Sequence, residues 1–459
     1  MGEKKQAIYD ASTLGKPKML ILGLQHMFAM FGATILVPIL VSKNFNGQGI
    51  SVQVTLFFAG IGTLLFHLIS KGKVPAFLGS SFAFLGGFAT VAGLSAGKYA
   101  NMDYGEKFQY ACGGIVVAGL MYLILAVFIK LVGVKRVMRF LPPVVTGPII
   151  MCIGLSLAPS AIDNIKVNVP LALIALLVVV VANIWGKGMI KIIPILLGVV
   201  ISYIVALGMQ FAGMTNADGS AIIDFAPIAA ASWVGVPKFV FAKFDITAIL
   251  VMAPIALATM MEHVGDISAI SATTQNNFIE DPGLHRTLFG DGLATAVAGM
   301  FGGPANTTYG ENTGVLELSK VYDPKVVRIA AVYAIVISFV PKLTDIIGTM
   351  PTAIIGGISF ILYGMISAIG VRNVVENKVD FTKSRNLIIA AMILVSGLGI
   401  PDGISITIGS TVIHLTSLAI AAIIGILLNA ILPGNDYDFG VNHKGDINRG
   451  VSFNNIEEE

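Results

Sequence analysis

The chain has 459 residues, of which 55% are hydrophobic and only 12% charged, and its mean hydropathy is +0.85. Soluble domains hold roughly 45–50% apolar residues, and repeated apolar runs near or above 18 residues make this an all-α polytopic membrane protein. The net charge of +3 is scattered over short loops, which argues against a nucleic-acid partner.

The polar stretch 1–18, MGEKKQAIYDASTLGKPK, shows no cleavable signal pattern. Seven apolar segments follow at 19–41, 51–70, 80–97, 108–129, 141–160, 168–185 and 192–214. A polar connector occupies 215–245. Seven more segments fall at 246–272, 287–303, 304–319, 327–345, 349–369, 386–400 and 405–432, before a polar tail at 433–459. Cys112 and Cys152 lie in apolar runs without CxxC or metal spacing, so buried free thiols are expected.

Threading fourteen spans with both termini cytoplasmic leaves only Lys43, Lys98, Lys107, Lys166, Lys238, Lys243 and Lys342 outside, out of 29 Lys and Arg. That obeys the positive-inside rule and makes 215–245 extracellular. Seven spans is an odd number, so the second half (246–432) enters the membrane from the side opposite to the first (19–214), as in an inverted repeat. FLGSSFAFLGG (77–87) and NTTYGENTG (306–314) each occupy the third span of a half. LPPVVTGPIIMCIGLSLA (141–158) and MPTAIIGGISFILYGMISAIG (350–370) likewise echo each other as fifth spans opened by Pro. Inverted repeats with paired broken segments are a transporter signature, with a substrate site near the midplane. Close packing of Gly-rich spans is the blander alternative.

Spans 3 and 10 are too short, or too rich in Gly, Ser, Thr and Pro, for continuous helices. Thr307, Thr308 and Tyr309, and with less force Ser80, Ser81 and Phe82, favour extended backbone. Two short intramembrane strands that pair with each other would satisfy each other's backbone and leave amides just beyond the pairing, at Phe82 and Gly310, facing a ligand. After Gly310, ENTGVLELSK starts a half-helix whose N-terminus favours Glu311. Capping alone would explain that residue, but an intramembrane carboxylate is a functional candidate by default.

In MMEHVGDISAISATT (261–274), Glu262 and Asp266 are four apart and share a helical face, with His263 turned about 100° from Glu262. Two carboxylates in one dry cavity disfavour each other's ionisation, which supplies a proton-coupling site. EHVGD is not HExxH, so no metal site is expected. His26 is a candidate support, and His67 is read as a packing residue.

QHMFAMFGATILVP (25–38), GSSFAF (79–84), EHVGD (262–266), DPGLHR (281–286) and NTTYGENTGV (306–315) resemble the bacterial uracil permeases of the nucleobase/ascorbate (nucleobase:cation symporter-2) transporter family, over essentially all the spans. The family signature is met by Glu311, Asn312, Gly314 and Lys320, with Ser319 where Thr is usual. The resemblance implies a core domain (spans 1–4 and 8–11), a gate domain (spans 5–7 and 12–14) and proton-coupled import of uracil by alternating access. It also implies a bacterial cytoplasmic membrane location, a homodimer through the gate domains and no cofactor beyond the coupling proton. On matching positions, Glu262 and Glu311 hold the pyrimidine, Phe82 and Gly310 donate backbone N–H to its carbonyl, Tyr309 and Tyr363 neighbour the ring, and Asn312 supports the site. Asp266 stands where the enterobacterial type has His. In the family, Gln at the position of Glu311 goes with purines, making a xanthine or urate permease the nearest rival. A passive nucleobase channel is a further alternative. An enzyme is not expected, since no nucleophile, metal set or phosphate loop is present.

Overall fold

The computed structural model describes residues 7–95, 97–408 and 411–434; Lys4, Lys5 and the expected tail from 435 onward lie outside the described residues. The first half runs α1 (Lys16–Asn44), α2 (Val52–Ile69), β1 (Leu78–Ser80), α3 (Leu85–Gly93), α4 (Tyr104–Val132), α5 (Pro143–Lys166), α6 (Val169–Ile184) and α7 (Pro194–Phe211). The second half runs α8 (Ile246–Thr274, with a tighter turn at Pro254), α9 (Leu284–Met300), β2 (Asn306–Thr308), α10 (Gly310–Ser319), α11 (Pro324–Ser338) and α12 (Pro341–Gly348). It continues with α13 (Thr352–Glu376), α14 (Ser384–Gly399), β3 (Ile404–Ile408), β4 (Thr411–Leu415) and α15 (Ser417–Ile431).

Local chemistry sets many of these boundaries. Ser51, Asp103, Asn168, Asp245 and Asp323 each accept an amide hydrogen bond from the first turn of the helix they precede, meeting donors that have no intrahelical acceptor. Proline opens α5, α7, α11 and α12, where its missing N–H costs nothing. Among the described residues seven helices are long and apolar enough to cross a membrane, or eight counting the bent pair of α11 and α12. Leu131, Phe211 and Ile431 are each more than 70% exposed, as expected of side chains that face lipid. The chain is therefore a mostly helical, multi-pass membrane protein.

Helix packing brings α4 against α9, α2 against α11, α5 against α13, α6 against α7, and α14 against α15. The α4–α9 seam is a backbone contact: a Cβ on Gly119 would lie 2.6 Å from the Gly292 carbonyl oxygen, and one on Gly292 would lie 2.7 Å from that of Gly119. Small residues allow this approach, which gives van der Waals attraction where no hydrophobic force acts between helices in lipid.

The structure departs from the sequence reading in three places. The segment expected at 405–432 begins with an antiparallel hairpin, β3 and β4, and only Ser417–Ile431 is helical. The many β-branched residues in ISITI and TVIHL favour strands, and Thr416 caps the helix that follows. The segment at 327–345 is not one straight helix, because Pro341 starts a new helix bent 89° from the preceding one. The 1–18 segment is not merely a tail: a short 3-10 turn spans Ala11–Leu14, α1 already starts at Lys16, and Ile8 bridges in parallel to Val321.

Candidate functional site

At the centre of the molecule β1 and β2 pair antiparallel, with Leu78 opposite Thr308, Gly79 opposite Thr307 and Ser80 opposite Asn306. The ladder is extended by Ser81 N–H to Ala305 O (2.9 Å) and Tyr309 N–H to Phe77 O (2.9 Å). A threonine hydroxyl holds one edge of each strand. Thr63 of α2 accepts from Leu78 N–H (2.9 Å) and Thr295 of α9 accepts from Asn306 N–H (3.1 Å). The Thr295 hydroxyl also donates to the Asn306 carbonyl at 3.1 Å, and that of Thr63 lies between two acceptors, Ala59 O at 2.8 Å and Leu78 O at 3.2 Å. Strand backbone is tolerated at membrane depth only when satisfied in this way.

The next amides along, those of Phe82 and Gly310, begin helical turns (Phe82–Phe84 and α10), so neither has an intrahelical acceptor. Both residues line a cavity of about 1150 Å³, together with Glu262, Asp266, Tyr309 and Glu311. Three polar atoms on this cavity's lining residues, Glu262 Oε2, Thr307 Oγ1 and Thr313 Oγ1, are buried without a hydrogen-bond partner. Buried groups left in that condition cost about 1–3 kcal/mol each unless a ligand or water meets them. The far end of the cavity is rimmed by charge: Lys191, Glu317, Lys378, and the Arg372–Glu376 ion pair at 2.5 Å.

The sequence-derived residues fall into three positions. Phe82, Glu262, Asp266, Tyr309, Gly310 and Glu311 share the cavity wall. His26 and Asn312 lie behind it, each 1% exposed; Asn312 Nδ2 donates to the His26 carbonyl at 3.1 Å and lies 3.2 Å from its Nδ1. Tyr363 is not among the lining residues and packs edge-on against Phe82, with ring centroids 5.8 Å apart. The Tyr309 ring lies under β1, its hydroxyl donating to Ser80 O at 3.0 Å, so it braces the crossing as well as lining the cavity.

Sequence reasoning missed Asp291. Its Oδ2 is 2.7 Å from His263 Nδ1, with both side chains fully buried, and the same nitrogen is 3.1 Å from Thr308 Oγ1. A lone Asp in LFGDGLATAV is a visible signal of buried charge, but its partner lies 28 residues away and no spacing rule links α8 to α9. Thr63 and Thr295 were missed as well, since threonine in an apolar helix carries no distinguishing pattern.

Comparison with known proteins agrees with this architecture. Residues 17–406 match the model of a permease family (Xan_ur_permease). The chain is 40% identical over 443 residues to the uracil permease of Bacillus caldolyticus, covering 93% of this chain and 94% of that one. It is 36% identical over 421 residues to the uracil permease of Escherichia coli strain K12, covering 89% and 90%. Among solved structures, the transmembrane domain of a cyanobacterium bicarbonate transporter, BicA, superposes with a TM-score of 0.61 at 14% identity, covering 91% of this chain and 99% of that one, a likeness of fold alone. A multi-pass helical protein with a buried polar cavity at a strand crossing, matched to this family over most of its length, belongs to the nucleobase:cation symporter-2 permeases and is a transporter, not an enzyme.

Proposed function

We propose that the chain is a proton-coupled symporter that imports uracil by alternating access. One observation carries the reading: Glu262, with an oxygen lacking any protein partner, and Glu311 share a cavity with the strand-end residues Phe82 and Gly310. Uracil presents two N–H donors and two carbonyl acceptors around a flat ring, and this wall offers carboxylate acceptors and backbone N–H donors with Phe82 beside them. Glu can only accept when ionised, whereas Gln also donates, which favours uracil over a purine at position 311. The uracil permeases among its relatives support the same substrate.

The architecture is read as fourteen segments in two inverted repeats, counting the bent α11–α12 pair as one and each strand with its half-helix as one. Packing supports this. Moving each segment seven places along turns the α4–α9 contact into α11–α2 and the α6–α7 contact into α14–α15, leaving α5–α13 paired with itself. Thr63 and Thr295 exchange under the same operation. Segments 1–4 and 8–11 then form a core that carries the site, the remainder forms a gate, and the gates join two copies. With both termini cytoplasmic, the charged rim at Arg372 and Lys378 faces the cytoplasm, so the cavity opens inward. Lys43 Nζ, 3.1 Å from Asn164 Oδ1, ties core to gate on the outer side. Glu262, Asp266 and Glu311 are the groups assigned to the coupled proton. One inward proton contributes about 2.3 kcal/mol per 100 mV and about 1.4 kcal/mol per unit of pH difference, enough for tenfold or greater accumulation.

The test is uptake of labelled uracil by proteoliposomes under an inward proton gradient, with Glu311→Gln beside the wild type. Accumulation that a protonophore and the substitution both abolish is the expected result. Uptake that stops at equal concentrations would replace the symporter with a channel. Movement of xanthine without uracil would place the chain with purine carriers.

A further inference from the structure

The N-terminal segment lies far from the cavity in sequence and in space, yet it holds the ends of both helices that carry the site's glutamates. Ile8 N–H donates to Lys320 O and Ile8 O accepts from Tyr322 N–H, both at 2.8 Å, at the C-terminal end of α10. The next residue, Tyr9, donates its hydroxyl to Thr274 O at 2.9 Å, at the C-terminal end of α8. Its ring packs edge-on against Tyr322, with centroids 5.5 Å apart. Ala11 N–H donates to Asp323 Oδ2 at 2.8 Å, and Asp10 pairs with Lys325 at 3.1 Å. Ala11, Val321 and Val326 form a small apolar cluster beneath these bonds, separate from the main core.

The same stretch of chain grips α10 twice. From Lys16 to His26, and from Gly310 to Lys320, there are ten residues of rise, about 15 Å in each case. The His26–Asn312 contact therefore forms one rung near Glu311, and the Ile8 N–H to Lys320 O hydrogen bond forms the other at the far end. Glu311 stands about 13 Å up α10 from the strap, and Glu262 about 18 Å up α8. A tilt of either helix at its tied end becomes a shift of one carboxylate relative to the other.

We infer that Ile8–Ala11 is a positioning element of the transport site, with Tyr9 its principal side chain, setting the relation of Glu262 to Glu311 by tying the ends of α8 and α10 together. This rests on the uracil-site reading above. Tyr9 touches no substrate; it acts through the two helices.

The experiment uses the full chain with Tyr9→Phe, which keeps the ring on Tyr322 and removes the hydroxyl, and Tyr9→Ala, which removes both. Spin labels on Gln275→Cys and Leu318→Cys report the spacing of the helix ends, the native Cys112 and Cys152 being buried. Uracil uptake gives KM and Vmax, and thermal melting reports folding. Tyr9→Ala is expected to broaden the distance distribution and raise KM about three- to tenfold, the equivalent of one net hydrogen bond, with Vmax and Tm changed less. Tyr9→Phe is expected to fall between it and the wild type. An unchanged KM and distance distribution in both variants overturns the inference, as does a lowered Tm with an unchanged KM. Wild-type protein that neither binds nor moves uracil sinks the substrate reading instead, and the distance distribution then decides the strap by itself.

Discussion

Gly79→Ala tests whether the strand crossing is as tightly built as its geometry implies. A Cβ at position 79 would lie 2.4 Å from Tyr309 Cζ, 2.5 Å from Cε2 and 2.7 Å from the hydroxyl oxygen. The ring has little freedom to yield, because it is 3% exposed and its hydroxyl lies 3.0 Å from Ser80 O, 3.2 Å from Ser80 Oγ and 3.3 Å from Thr34 Oγ1. Overpacking costs about 1–3 kcal/mol, and each hydroxyl bond lost adds about 0.5–1.5 kcal/mol, so a loss of about 2–4 kcal/mol is expected. Gly86→Ala is the contrast: nothing lies within 4 Å of its Cβ position, and replacing Gly within helix α3 gains about 0.5–1 kcal/mol. Thermal melting of purified protein and uracil uptake in vesicles read the two variants side by side. Gly79→Ala protein that melts with the wild type and transports at the same rate would refute the reasoning, because Tyr309 would then not brace the crossing.

Asp291→Ala removes the carboxylate beside His263 Nδ1 in a fully buried site, and a buried polar group left unsatisfied costs about 1–3 kcal/mol; a reduced yield of folded protein is expected. Asp291→Asn keeps an acceptor for the ring and should fold, and equal yields of the two variants in size-exclusion profiles would count against the pair. Lys43→Ala removes the outer tie to Asn164. On the alternating-access reading proposed above, the loss of this hydrogen bond from an exposed lysine is about 0.5–1 kcal/mol, or a two- to fivefold rise in outward-open molecules, read by labelling of a cysteine placed in the outer half of the proposed core–gate seam. The Ser12 hydroxyl and Lys325 hold Asp10 down to about 2 from an ordinary 3.8. A lowered folded-state value means a contribution complete above about pH 4 and lost as pH falls toward 2. Protection of the N-terminal segment from an acid-stable protease should therefore fade within that window and be flat from pH 5 to 8.

Residue chemistry alone made the membrane character, the two broken segments and the carboxylates Glu262, Asp266 and Glu311 legible. Each is a local signal: a long apolar run, a cluster of extended-favouring residues inside one, or a charge where charge is costly. The sequence also pointed to Phe82 and Gly310, because an amide just past a short strand is a property of the chain within a few residues. Only the tertiary structure decided that Asp291 belongs to His263, that Thr63 and Thr295 hold the strand edges, that Tyr309 runs under Gly79, and that Ile8 and Tyr9 bind helix ends some 265 residues or more away in sequence. The physical reason is that a hydrogen-bonding group carries no mark of its partner. Periodicity and composition say which groups must be satisfied, whereas helix packing determines which of many distant candidates comes within 3 Å.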